Sequence, residues 1–266
     1  MLAGCDLRGA NLIGANLSGA EMTGAMAAAA DFTDADLTGA ELHRAKLAGA
    51  KLDGADLSGA NISGADLAGA SLRRAVMVSV NMANTNLSGA NMDGSLGPAP
   101  TDVKVGDRSL IEAVNSHERR RETQGQAGET LRGEGIDFRM LGQLTSRELT
   151  GLVAPRGVFF GMRLDGIQLQ GADLTGADMR CASLRAADLR GSKLVGADLS
   201  KADLTDANLG PLRVTATRSL PTNLSGARLR HTVLDGARLN EAVFTNADIE
   251  HASFKDTDVK ASDLAI

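Results

Sequence analysis

One large apolar residue recurs every five positions, and the spacing holds for more than ninety residues. It runs from Leu2 through Leu7, Leu12, Leu17 and Met22 to Met92, nineteen centres without a slip, of which only Ala27 is small. Two residues ahead of each centre, from position 5 to position 90, stands Ala fifteen times in eighteen, the others being Cys5, Val80 and Thr85. Asp or Asn usually precedes the centre, and Gly usually follows it by two, as at Gly9, Gly14 and Gly19. A helix repeats its apolar face every 3.6 residues and a strand every second residue. A period of five fits neither and calls for a repeat architecture. Each unit reads as a short extended piece and then a corner, where Gly supplies a positive φ. The centre and the small residue before it point inward, while Asp or Asn and the two turn residues face water.

The rule Ala-Asp/Asn-Leu-x-Gly, as in Ala15-Asn16-Leu17-Ser18-Gly19 and Ala65-Asp66-Leu67-Ala68-Gly69, resembles the pentapeptide-repeat family over about three quarters of the chain. The resemblance implies an all-β solenoid: a right-handed quadrilateral β-helix, four units or twenty residues to a turn. The period alone does not fix how many units close a turn.

The pattern returns in the second half in a new phase. Its centres run from Leu164 to Leu209 and from Leu224 to Leu264, with Val214 and Ser219 on the count between them. Weaker members reach back through Phe159 to Leu149 and Leu144. Residues 210–221, bracketed by Pro211 and Pro221, keep the count without the chemistry and read as a bulged corner or loop. The core is expected to include Leu12, Leu37, Leu57, Leu67, Leu174, Leu189, Leu199, Leu229 and Phe244. At Ala27 a centre shrinks to a methyl group. Phe32, the next centre, fills the gap on one reading; on the other, Met26 turns inward.

Residues 97–134 lack the period. Gly97-Pro98-Ala99-Pro100 is a linker signal, and an α-helix is expected over about 108–123, with Asp107 as N-cap and Leu110, Ile111 and Val114 on one face. This piece resembles a short helix placed before some bacterial pentapeptide runs. A solenoid end exposes its Leu stack and needs a cap. The Arg119-Arg120-Arg121 run reads as a solvated helix face, and 146–155 as a second short helix. The expected layout is two all-β blocks, 1–96 and 135–266, the second regular from about 157, joined by a linker that carries the capping helix. One interrupted solenoid is the alternative. Repeats begin almost at the first residue, which suggests self-association through an uncapped end or a longer natural protein.

Chemistry-bearing motifs are scarce. The chain contains no GxSxG, Walker A or CxxC motif, so neither catalysis nor a cofactor is expected. Asp and Glu fall on solvated positions, away from any cleft that would perturb them. His231 and His251 lie twenty residues apart. If four units close a turn, the pair stacks on adjacent coils and could share a metal ion, though no third ligand beyond Glu250 is near. Otherwise they are two solvated imidazoles. Cys5 reads as packing, and Cys181 as an exposed thiol. Neither a signal peptide nor a membrane-length apolar run is evident, so a cytoplasmic location is the default. With a net charge of −5, scattered basic residues and no exposed aromatic ladder, nucleic acid is not the expected partner.

Two functions follow. The first is a non-enzymatic scaffold that binds a protein through its ladder-like faces. The second comes from the resemblance: some pentapeptide-repeat proteins mimic DNA, bind DNA gyrase and modulate quinolone action. Mimicry requires sustained negative charge. The blocks 1–96, 97–158 and 159–266 carry net charges of −4, zero and −1. One outer ladder of the second block is expected to read Asp178, Asp198, Arg218, Arg238, Asp258, acidic and then reversed, which favours the scaffold.

Overall fold

The computed structural model describes residues 2–264, and the chain divides into two compact units, Met1–Ala99 and Pro100–Ile266. In the first unit each residue that precedes a centre pairs in parallel with the residue twenty positions on. Asp6 pairs with Met26, Met26 with Lys46, and Lys46 with Asp66, and the same holds on all four sides. Twenty residues therefore close one coil, and four centres per coil fill it. Each corner is a β-turn closed by a hydrogen bond from the next small residue to the centre, as from Ala10 N to Leu7 O at 3.0 Å. Its third residue takes the positive φ, +65° at Gly9, the sign pattern of a type II turn.

Stacked centres and alanines form the core. Leu37, Leu57 and Leu67 are buried in the first unit, and Leu174, Leu189, Leu199, Leu229 and Phe244 in the second. Leu12 lies in the first coil, packs against the core on one side and is half-buried. Ala27 and Phe32 are both fully buried, whereas Met26 is 40% exposed. Met26 does not turn inward, because its backbone is held as a ladder residue between Asp6 and Lys46.

The second unit opens with a two-residue hairpin, β1 (Lys104–Val105) and β2 (Arg108–Ser109), followed by α1 (Leu110–Glu122). The hairpin takes up Asp107, so the N-cap is Ser109 and not Asp107. Its backbone N–H donates to the Glu112 carboxylate at 2.9 Å, as in a capping box. The buried face is Leu110, Ala113, Val114 and His117, spaced three, four and seven residues on from Leu110; Ile111, expected on that face, is 41% exposed. Leu110, Ala113 and Val114 join the core of the second unit and cover the start of its coil.

That coil begins earlier than expected. Parallel pairing already joins Arg132 to Val153 and Asp137 to Val158, a step of twenty-one. The extra residue is absorbed in a 3-10 turn, Phe138–Leu141, and Phe138 stacks on Phe159 with ring centroids 4.4 Å apart. From Gln143 the step is twenty. Residues 146–155 are therefore coil and not a second helix. Leu149 and Ala154 are buried at repeat spacing, and Glu148 pairs with Gln168. The segment 97–134 is likewise more than a linker, since its helix and Leu131 belong to the second core.

Across 210–221 the step jumps to thirty: Asp198 pairs with Arg228, and Asn208 with Arg238. The chain leaves the coil and returns as a hairpin, β3 (Leu212–Arg213) with β4 (Ser219–Leu220). Val214 and Ser219 are exposed members of this excursion and not centres.

His117 ties α1 to the coil. Its Nδ1 accepts from Leu131 N at 2.9 Å and its Nε2 donates to Thr150 O at 3.1 Å, which requires the neutral imidazole. Burial pushes its pKa down, helped by Arg121, against the raising effects of the Thr150 bond, Glu148 and Glu118. A lowered histidine pKa means that the unfolded chain takes up the proton first. The stability this histidine contributes is present above about pH 6.5 and is lost as pH falls from there through the folded pKa. Thermal melts of the wild type should therefore drop below about pH 6.5 more steeply than those of His117→Gln. In the rod itself, Leu57→Ala should cost about 2–5 kcal/mol by urea denaturation, and Leu57→Asp should abolish folding of the first unit.

Candidate interaction faces

The outward positions of a coil are set by what its corners require. The turn residue two beyond each ladder position has a backbone N–H that points outward, where a side chain or water can accept it. Asp or Asn at the ladder position supplies the acceptor. Asp36 accepts from Thr38 N at 3.0 Å, Asp56 from Ser58 N at 2.9 Å, and Asp203 from Thr205 N at 2.9 Å. The Asp/Asn preference of the repeat is thus turn chemistry.

Where Ser occupies the ladder, its side chain is too short for this role, and an aspartate on the preceding coil replaces it. Asp53 accepts from Arg73 N at 3.0 Å and from Ser71 Oγ. Asp165 accepts from Arg185 N at 3.1 Å and from Ser183 Oγ, and Asp235 from Lys255 N at 3.0 Å and from Ser253 Oγ. Burial would raise the Asp53 carboxyl, but bonds from Arg73 and Ser71 outweigh it and hold the pKa below the usual range. At Asp235 the Ser253 hydroxyl is the largest lowering cause. These clamps were not foreseen from the sequence. Their signal is Leu-Asp-Gly answered eighteen residues after the Asp by Ser-Leu-Arg or Ser-Phe-Lys.

Many surface carboxylates also meet a cation. Arg8 bonds Asp6, whose pKa falls to about 2, chiefly through that side-chain bond. Arg190 bonds Asp188 at 2.6 Å, Lys51 bonds Asp31 at 3.1 Å, and Arg185 bonds Asp203 at 2.7 Å. Arg180 stands at an outward turn position yet is only 5% exposed. It is paired with Asp178 and lies over the Phe160 ring, 5.5 Å from its centroid.

His231 and His251 come together as the spacing predicts. Their rings stack with centroids 4.9 Å apart, both at turn positions with positive φ. Glu250 lies 3.6 Å from His251 Nε2, and no group of three or more metal-ligating side chains occurs among the described residues. Cys5 is half-buried and Cys181 exposed. The acidic ladder expected through Arg218 does not form. The excursion removes ten residues from the register, so the ladders read Asp178, Asp198, Arg228, Asp248 and Asp188, Asn208, Arg238, Asp258.

The 210–221 hairpin is anchored to the coil. A Cβ placed on Gly191 would lie 2.6 Å from Leu212 Cβ and 3.1 Å from Leu220 O, so the hairpin lies directly on that corner. Buried Thr222 seals its exit. Its Oγ1 accepts from Gly191 N at 2.9 Å and lies 3.0 Å from Leu189 O and 3.1 Å from Gly210 O, within reach to donate. Outward it presents Arg213, Arg218, Val214 at 55% exposure and Leu220 at 36%.

The family described as pentapeptide repeats matches this chain in eight copies, over residues 2–26, 28–64, 55–94, 159–191, 182–210 and 222–260. No curated protein matches. Among solved structures, HetL, a pentapeptide repeat protein involved in heterocyst differentiation regulation from the cyanobacterium Nostoc sp. strain PCC 7120, is 24% identical. The alignment covers 98% of this chain and 85% of that one, with a TM-score of 0.28. Full-length QnrB1, a plasmid-mediated fluoroquinolone resistance protein, is 15% identical over 96% of this chain and 84% of its own, with a TM-score of 0.35. Superpositions this loose carry no argument about function.

The clamp can be tested by moving the acceptor. Asp165→Ala should lower stability by about 0.5–1.5 kcal/mol, since it exchanges the Arg185 N–H and Ser183 hydroxyl bonds for bonds to water. Adding Ser183→Asp, which restores a ladder acceptor on the same coil, should recover most of the loss in the urea midpoint.

Proposed function

Because the chain belongs to the pentapeptide-repeat family, we propose that it is a non-enzymatic scaffold that binds a protein partner, with the 210–221 hairpin as its recognition element. Both blocks are right-handed quadrilateral β-helices whose interiors are filled by leucine and alanine. Such interiors leave no cleft for substrate between coils. Among the described residues no helix is long and apolar enough to cross a membrane.

The observation that carries the proposal is the anchored excursion. Elsewhere in the second block, from Gln143 on, the coil advances by twenty residues. Here the chain departs, seats Leu212 on Gly191, and holds two apolar side chains and two arginines out to solvent. A preorganised loop loses little entropy on binding, and arginine with exposed apolar residues suits an interface centre. The clamped, ion-paired rod faces offer weaker purchase, since exposed pairs contribute little.

The gyrase-binding DNA mimic gains no support from the ladders. None of the paired ladders holds more than two consecutive carboxylates before a neutral or basic residue intervenes. Duplex DNA carries one charge per about 1.7 Å, whereas stacked coils are spaced by about 4.8 Å, so mimicry would require unbroken acidic rows side by side.

Replacing 211–221 with a single glycine should restore the twenty-residue register and the positive φ of an ordinary corner. The variant should keep the wild-type far-UV spectrum and melt within a few degrees of it. Affinity capture from the source organism, followed by titration of the purified partner, should show binding by the wild type and at least about tenfold weaker binding by the variant, a loss of about 1.4 kcal/mol. Equal binding by both proteins would remove the hairpin from the interface.

A further inference from the structure

A cavity of about 490 Å³ lies beside the C-terminal half of α1, within the second unit. One wall is a single face of α1, His117, Arg120 and Arg121, with Gln124 from the turn that follows the helix. The other wall includes Arg132 and Thr150. None of the lining residues is acidic, although the whole chain carries a net charge of −5. The volume is in the range of small-molecule sites, roughly 300–1,000 Å³.

We propose that this cavity binds a small polyanion, a diphosphate or a tricarboxylate, through Arg120, Arg121 and Arg132. The charge balance sets the valence. Glu148 lies 3.8 Å from Arg121 and partly offsets it. Among the described residues no carboxylate pairs with Arg120 or Arg132, and Arg120 Nη1 reaches the Gly125 carbonyl at 3.4 Å. Two guanidinium charges therefore face a shared space without a counter-ion, which a ligand with two or more negative charges would balance. Their planar forks suit bidentate contact with phosphate or carboxylate oxygens.

The rest of the wall is compatible with an anion. His117 is held neutral by its bonds to Leu131 and Thr150, so it adds a polar edge without charge. The last carbonyls of α1 would repel an anion, but those of Arg119, Arg120 and Arg121 accept from the backbone N–H groups of Thr123, Gly125 and Gln124. No phenylalanine lines the cavity, and both ring nitrogens of the buried His117 are already bonded, so positive charge is the main feature that the lining offers a ligand. This favours a compact polyanion.

The test is calorimetric titration of the full-length chain with pyrophosphate and, in parallel, citrate, at low and at physiological ionic strength. Saturable one-to-one binding of at least one anion is expected, and the tighter arm identifies the source of the charge. Arg120 and Arg132 are exposed, so the R120Q/R132Q variant should keep its melting temperature while binding falls at least tenfold. Arg218→Gln, on the hairpin, should bind as the wild type does. Amide NMR shifts on titration should cluster within 117–151, a readout that does not depend on the variants. Absence of saturable binding for both anions, shifts scattered over the arginines of the rod, or equal weakening by Arg218→Gln would overturn the proposal. Loss of hairpin binding would leave it untouched, since the two sites share no residue.

Discussion

The structure depends on backbone pairing between coils. A corner every five residues leaves no segment long enough to satisfy its own amides, so the N–H and C=O groups of one coil are met by its neighbours twenty residues away. An unpaired buried amide costs about 1–3 kcal/mol, and every coil carries many such amides. Register is therefore kept even where sequence rules lapse. The 3-10 turn at Phe138–Leu141 absorbs one extra residue, and the 210–221 excursion leaves the coil whole and returns in phase, with Thr222 meeting the Gly191 amide at the break.

What the sequence made legible follows from this. The centres could be read because a five-residue period has no competitor, and Leu57 or Leu199 is buried for the reason the period gives. The failures share one cause: a periodic count is blind to where the chain runs in space. Val214 and Ser219 kept the count, because the excursion shifts the register by a multiple of five, yet both lie outside the coil. Residues 146–155 carry helix-forming Glu148 and Leu149, but pairing with the following coil overrides that propensity. Clamps such as Asp165 with Ser183 and Arg185 join residues eighteen and twenty apart, which no local window detects. Arg119, Arg120 and Arg121 are exposed, as a solvated helix face requires; that Arg132 lines the same cavity as two of them emerges only once α1 folds against the first coil.

The same constraint assigns the surface charges. Asp and Asn dominate the ladder because they satisfy turn amides, so the acidic composition of the chain is largely a by-product of corner chemistry. Once the carboxylates are in place, nearby Arg and Lys pair with many of them, as Arg190 does with Asp188 and Arg73 with Asp53. A surface built this way is charged in composition, with many of its charges paired locally. Its bulk pI therefore says little about its partner, and a broad electrostatic face is a poor basis for specificity.

On the proposed scaffold reading, specificity comes from places where the repeat is broken. A regular coil fills its interior with its own Leu and Ala and has no room for a cleft. An excursion or a cap escapes that limit, because its backbone is satisfied by local bonds and its side chains need not serve a corner. The hairpin, held by its own short pairing and by Gly191, can spend Val214, Arg213 and Arg218 on solvent. The helix, satisfied internally and fixed to the coil through His117, can place Arg120 on the cavity that Arg132 also lines, with no carboxylate paired to either among the described residues. Neither arrangement could arise at a ladder position, where the next coil lies about 4.8 Å away and the side chain is already committed.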